Sequence, residues 1–157
     1  MTTDASKTAN ANAALQRLEA VKAKRGYLLP HHGLLAISAP QLLEAYDACY
    51  TALTLTPRTL SEADREFVWL GVLTSRREHI ASHHLVKFLK AGGSASDVDL
   101  AIRLTALAES SGAFAFISDH WQKHMPDYDG KVAYFEALNQ AASTSLLRAG
   151  LIHLLLA

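Results

Sequence analysis

Nine consecutive residues, Arg76-Arg77-Glu78-His79-Ile80-Ala81-Ser82-His83-His84, hold six side chains that carry charge or exchange a proton near neutral pH. Imidazole is the side-chain acid or base best matched to that pH, and an arginine can hold a carboxylate while a neighbouring group moves a proton. Glu66, upstream at the start of an apolar run, could serve as a partner carboxylate. Its other reading is a favourable charge near a helix amino terminus. The cluster itself has a plain alternative, a solvated or subunit-facing helix surface, which is what a charged run usually is.

Two further histidine pairs, His79 with His83 and His120 with His124, have the four-residue spacing that puts both rings on one helix face and suits a metal. No His-Glu-x-x-His motif and no diagnostic third ligand accompany them, so neither a bound metal nor a cofactor is expected. His120 and His124 also lie near a helix end, where histidine complements the dipole. His31-His32 falls in the connector Tyr27–Gly33 beside Pro30, a location rich in functional residues generally, though an exposed loop pair explains it as well. Trp69 and Trp121 read as core or interface.

The single cysteine, Cys49, rules out an internal disulfide, a Cys-x-x-Cys redox pair and a multi-cysteine zinc site within one chain. Fifteen basic residues balance fifteen acidic ones, with no basic stretch to attract nucleic acid or an anionic membrane. No stretch reads as a secretory signal or as the roughly 18 to 20 apolar residues of a membrane span. The expectation is a cytoplasmic protein with a small-molecule substrate and no nucleic-acid or membrane partner.

The elements that must position these groups are helical. Residues 1–12 read as a flexible polar segment. Leu15, Leu18 and Val21 mark a helix over 13–24, and Pro40 opens another whose face carries Leu42, Leu43, Tyr46, Cys49, Tyr50 and Leu53, with Ser38 as its cap and Cys49 in the core. Ser61 with Asp64 forms a capping box before the run Phe67 to Leu73, and nothing from Ser75 to Lys90 breaks a helix until Gly92-Gly93. Ser96 opens a long apolar helix as far as Trp121, and two more follow at 132–142 and 145–157. No segment alternates with period two, so an all-α bundle forming a single domain over 13–157 is expected. Tyr50-Thr-Ala-Leu53 is echoed by Phe135-Glu-Ala-Leu138, a weak internal repeat whose second copy, from about 126, is incomplete. The apolar carboxyl-terminal helix needs cover from the core or from a neighbouring subunit.

The stretch Leu60 to Ala101 resembles the core of the carboxymuconolactone decarboxylase and alkylhydroperoxidase D superfamily. The matching pieces are Leu60-Ser61, Arg65-Glu66, the helix Phe67 to Leu73, His84, Gly92 and Ser94 to Val98, with the Ala39-Pro40 helix before them. The resemblance implies an AhpD-like helical bundle that assembles into trimers or hexamers. In the alkylhydroperoxidase branch two cysteines precede the histidine, one thiolate attacking peroxide and the other resolving it. Counted back from His84 those places are Arg77 and Ile80; counted forward from Glu66 they are Glu78 and Ala81. Neither count finds sulfur, so thiol peroxidase activity is not expected. The decarboxylase branch lacks the cysteines and commonly has a glutamate one helical turn before the histidine. Here Glu78 stands five residues before His83 and six before His84, a departure from that spacing.

The resemblance therefore implies a lyase-type or related enzyme without a thiol, acting on a small carboxylated or lactone metabolite. His84 would donate the proton and Arg77 or His79 would hold the anion, with Glu66, Glu78 and His83 as further candidates. Two other classes fit the same sequence: a fold of this type without catalysis, serving as a binding or assembly module, and a histidine-based metal-binding protein.

Overall fold

The computed structural model describes residues 4–142 and 145–156, and the helices fall into two compact units, one ending at Thr56 and the other starting at Pro57. Among the described residues there is no strand, as the sequence pattern predicts. The first unit comprises α1 (Asp4–Arg25), α2 (Pro30–Ser38) and α3 (Pro40–Tyr50), the last running into a π-helical turn, Thr51–Leu55. The second holds α4 (Glu62–Arg76), α5 (His83–Lys90), α6 (Ala95–Glu109), α7 (Ser111–His120), a 3-10 turn Gln122–His124, α8 (Gly130–Ala141) and α9 (Leu146–Leu156).

In the first unit, Ala14, Leu18 and Val21 form a stripe on α1 that packs with Ala36 and Leu43. The next turn of that stripe is Arg25, whose side chain is fully buried. A buried guanidinium needs a counter-charge, and Asp47, one turn after Leu43 on α3, supplies it. Arg25 Nε and Nη2 donate to Asp47 Oδ1 at 3.1 and 2.9 Å, Lys24 Nζ donates to Oδ2 at 2.7 Å, and the guanidinium lies 4.0 Å over the Tyr50 ring. This pairing explains why Cys49, expected in the core, is exposed. Asp47 occupies the inward position that the apolar pattern had given to its neighbours.

Helix starts also differ from expectation. With neither Gly nor Pro to stop it, α1 begins at Asp4, so helix reaches through most of the segment expected to be flexible; residues 1–3 lie outside the described residues. Pro30 at the first position of α2 turns the expected connector into helix and places His32 in its first turn. His32 Nδ1 accepts from the Leu29 backbone N–H at 3.0 Å, as the third residue of a capping box does, and Nε2 lies 3.2 Å from Arg25 Nη1. Far from an exposed loop residue, His32 is fully buried. Ser38 bonds back to the Leu34 carbonyl, and Ala39 stands at the cap position of α3.

The second unit is organised around Phe67, Leu70, Phe88, Leu100, Leu104, Leu138 and Ile152. α4 packs on α5, α6 and α9, and α7 on α8. A Cβ at Gly71 would collide with Ile152 Cδ1, so this glycine lets α9 lie against α4. Ser61 and Ser94 cap α4 and α6, each accepting from the backbone N–H of the aspartate three residues on. The predicted opening of α6 at Ser96 thus moves to Ser94. Arg148 of α9 joins both capping acids, with Nε 3.0 Å from Asp64 and Nη1 2.8 Å from Asp97, and so fixes the amino termini of α4 and α6 side by side. The helix expected to run to Trp121 breaks at Ser110 into α6 and α7. By length and composition alone, Ala95–His120 is long and apolar enough to cross a membrane, contrary to the sequence expectation. α6 nevertheless buries Leu100, Leu104 and Ala108 in the core of its unit.

Burial, then the adjacent His31 and the Arg25 charge, push His32 down to about 4 from an ordinary 6.5. The folded imidazole resists a proton that the unfolded chain takes up, so its contribution to stability is intact above 6.5 and is lost as pH falls towards 4. Over that window the unfolding free energy should fall by up to roughly 3 kcal/mol from this group. Urea unfolding followed by circular dichroism at a series of pH values should show a shallower slope between 6.5 and 4 for His32→Gln than for wild type.

Candidate functional site

The side chains with catalytic potential meet where α5 folds back on α4. The uninterrupted helix expected over Ser75–Lys90 does not form, because His84 and Phe88 on α5 must face Glu66 and Phe67 on α4. Arg77 makes the reversal in the left-handed conformation, φ 53° and ψ 38°, with its N–H on the Thr74 carbonyl and the Glu78 N–H on the Leu73 carbonyl. Glycine normally fills such a position, since a Cβ there costs about 1 kcal/mol or more. Gly92, at φ 95°, performs the same task at the end of α5, where the Gly93 N–H bonds to the Phe88 carbonyl. A Cβ at Gly93 would collide with the Phe88 ring, which packs 6.0 Å from Phe67. These two stops fix the register of α5 on α4.

In that register, His84 Nδ1 lies 2.7 Å from Glu66 Oε2, with Glu66 fully buried and His84 2% exposed. The indole of Trp69 stacks on the imidazole, ring centroids 4.7 Å apart and planes inclined by 21°. His83 packs its own ring 4.3 Å from that of His84. Burial alone would raise the Glu66 carboxyl above its ordinary range, but the hydrogen bond and charge of His84, with Lys87 and Arg65 beyond, outweigh it and hold the group below. Glu66 is therefore ionised at neutral pH and accepts only. The Nδ1–H of His84 donates to it, which leaves Nε2 as the nitrogen that can give or take a proton. The second carboxylate oxygen, Oε1, is buried without a hydrogen bond among the described residues, 3.6 Å from Arg65 Nε.

Of the six residues singled out in the sequence, Glu66, His83 and His84 are brought together. Arg77, Glu78 and His79 are exposed in the connection between α4 and α5, and no hydrogen bond or ion pair joins them to Glu66 or His84 among the described residues. Glu78 Oε1 accepts the Ile80 N–H at 2.7 Å, a role in shaping the turn. His79 and His83 do not share a helix face, because α5 begins at His83. His120 ends α7 while His124 lies in the 3-10 turn after it. Among the described residues, no group of three or more His, Cys, Asp or Glu side chains could hold a metal ion. Trp69 and Lys87 are the site neighbours that sequence reasoning missed. Both stand three residues from a member of the pair on the same helix, a spacing that puts them on its face.

The sequence model of the Carboxymuconolactone decarboxylase family matches residues 40–117, from the first residue of α3 into α7. The chain belongs to this family. No curated protein and no solved structure shows a significant match to it. In this carboxymuconolactone decarboxylase family member the matched region contains the whole of the Glu66, Trp69 and His84 arrangement. Its one cysteine, Cys49, is on α3, in the other unit, and the two counts for a thiol pair fall on Arg77, Glu78, Ile80 and Ala81 in the α4–α5 connection.

Glu66→Gln keeps the shape of the pair and removes its charge, and should cost about 1–3 kcal/mol at pH 7. Because the folded carboxyl lies below its ordinary 4.5, its contribution is present above that value and is lost as pH falls below it. Chemical unfolding of the two proteins should therefore show a stability difference that narrows as pH falls below 4.5.

Proposed function

We propose that this family member is an enzyme without a catalytic thiol, of lyase type, acting on a small carboxylated or lactone metabolite with Glu66 and His84 as its proton-transfer pair. The observation that carries the reading is the buried hydrogen bond of 2.7 Å between them. In a decarboxylation, the bond from the ring to the carboxylate carbon breaks, carbon dioxide leaves, and the electron pair passes into an enolate of the lactone. Nε2–H of the imidazolium then protonates that carbanion. The product state of the catalyst is the neutral Nδ1–H tautomer, the one an ionised Glu66 accepts from, so the carboxylate favours both ends of the step. Trp69 fixes the plane of the ring.

Arg77 is the group we assign to the substrate carboxylate. It takes a left-handed conformation that glycine adopts more cheaply, and strain of that kind is concentrated at functional positions. Its exposed guanidinium has the fork geometry for a bidentate contact with an incoming carboxylate.

A second reading has its own support. Glu66 and His84 are 0% and 2% exposed, which also suits an ion pair that only stitches α5 to α4 in a non-catalytic member. Carbon dioxide release from a carboxylated lactone separates the two. Under the enzymatic reading His84→Asn, verified as folded by circular dichroism, loses at least roughly a hundred-fold in rate. Arg77→Gly should raise the unfolding free energy by a few tenths to about 1 kcal/mol while raising KM. No release by wild type, or equal rates in wild type and His84→Asn, would leave the pair as structural and defeat the proposal.

A further inference from the structure

We infer that the second unit carries another small-molecule site, between α7, α8 and α9, that takes a small aromatic carboxylate. A broad groove of about 560 Å³, open to solvent, lies there, with room for one small ring. Neither Glu66 nor His84 lines it, so the inference stands apart from the proposed reaction.

The walls are aromatic and arranged edge to face. Tyr134 lies 5.5 Å from Phe114 and 5.3 Å from Phe135, and Phe135 lies 5.5 Å from His153, all between ring centroids. Phe135 is nonetheless 48% exposed, a large apolar surface left uncovered beside the groove. A planar ring is the ligand such walls accept best, since offset and edge contacts add to the area buried.

The polar groups specify what the ring should carry. The Tyr134 hydroxyl is 2.8 Å from His153 Nδ1. Burial raises the Tyr134 phenol above its ordinary value, so the hydroxyl keeps its proton and can donate it to Nδ1 in the imidazole tautomer that carries its proton on Nε2. In that tautomer His153 offers Nε2–H as a donor for an oxygen ligand. Lys131, one turn before Phe135 on α8, adds a cation at the groove. Asp119 of α7 is the one acid among the lining residues and offsets the lysine charge; the His153 N–H donor beside them then favours an oxygen anion on the ring over a cation. The close approach of α7 and α8 depends on Gly130, where a Cβ would collide with the Phe114 carbonyl oxygen and the buried Ser118 hydroxyl.

Titration of the full-length, isotope-labelled chain with sodium benzoate, benzyl alcohol and benzylamine, followed by amide nuclear magnetic resonance, tests this. Benzoate should shift the amides around Asp119, Lys131, Phe135 and His153 saturably, and bind more tightly than benzyl alcohol. Lys131→Met should bring benzoate down to the level of benzyl alcohol, and Phe135→Ser should weaken both by about ten-fold or more. Both positions are exposed, so the fold should persist. Four results would overturn the inference: no saturable shift at tens of millimolar, tighter binding of benzylamine than of benzoate, shifts confined to the surroundings of Glu66 and His84, or a wild-type oligomer that Phe135→Ser turns into monomers. The last would assign the face to a second copy of the chain.

Discussion

The hydrogen bond between Glu66 and His84 is the constraint on which the second unit is arranged. Burying an ionised carboxylate is costly unless a donor meets it, and the donor lies on another helix, so α5 must reverse and settle on α4 in a single register. The left-handed turn at Arg77 allows the reversal, and Gly92 ends α5 before it overruns. Phe67 and Phe88, one residue after Glu66 and one turn after His84, make the apolar half of the same contact. Arg148 fixes the starts of α4 and α6 through their capping acids, so the carboxylate is presented from a helix whose amino terminus is held.

Each unit buries a histidine, and the neighbouring charge sets what each can do. His32 lies against the Arg25 guanidinium, whose positive charge reinforces desolvation and holds the ring neutral. There the imidazole serves as a capping and packing group. His84 lies against a carboxylate instead, with the ring braced by Trp69. Burial is common to both. A carboxylate partner is what a proton-transferring imidazole needs, which is why the functional reading rests on His84.

Much of the fold was legible in the sequence, because amphipathic stripes, prolines at helix starts and serine caps are local signals. What was not legible depended on partners distant in the chain. Cys49 read as core from the apolar pattern alone; only Arg25, in the place after Val21, shows that Asp47 takes the inward position. The break at Arg77 has no glycine or proline to announce it; only the pairing of α5 with α4 demands it. Glu66 and His84 were found through a family-like spacing, and the eighteen residues between them say nothing of contact by themselves. Arg77, Glu78 and His79 were grouped with the histidines on the assumption of continuous helix, and the turn places them apart. Trp69 was set aside as core because a stack on His84 is visible only once α5 has folded back.

The central claim is that an ionised Glu66 fixes the tautomer of His84 and leaves Nε2 as the reacting nitrogen. Imidazole nitrogen spectra of protein labelled at histidine, assigned through His84→Asn, read that tautomer directly at neutral pH. The account predicts a proton on Nδ1 of His84, hydrogen-bonded to carboxylate. A neutral ring carrying its proton on Nε2, with Nδ1 accepting from a protonated Glu66, would contradict it.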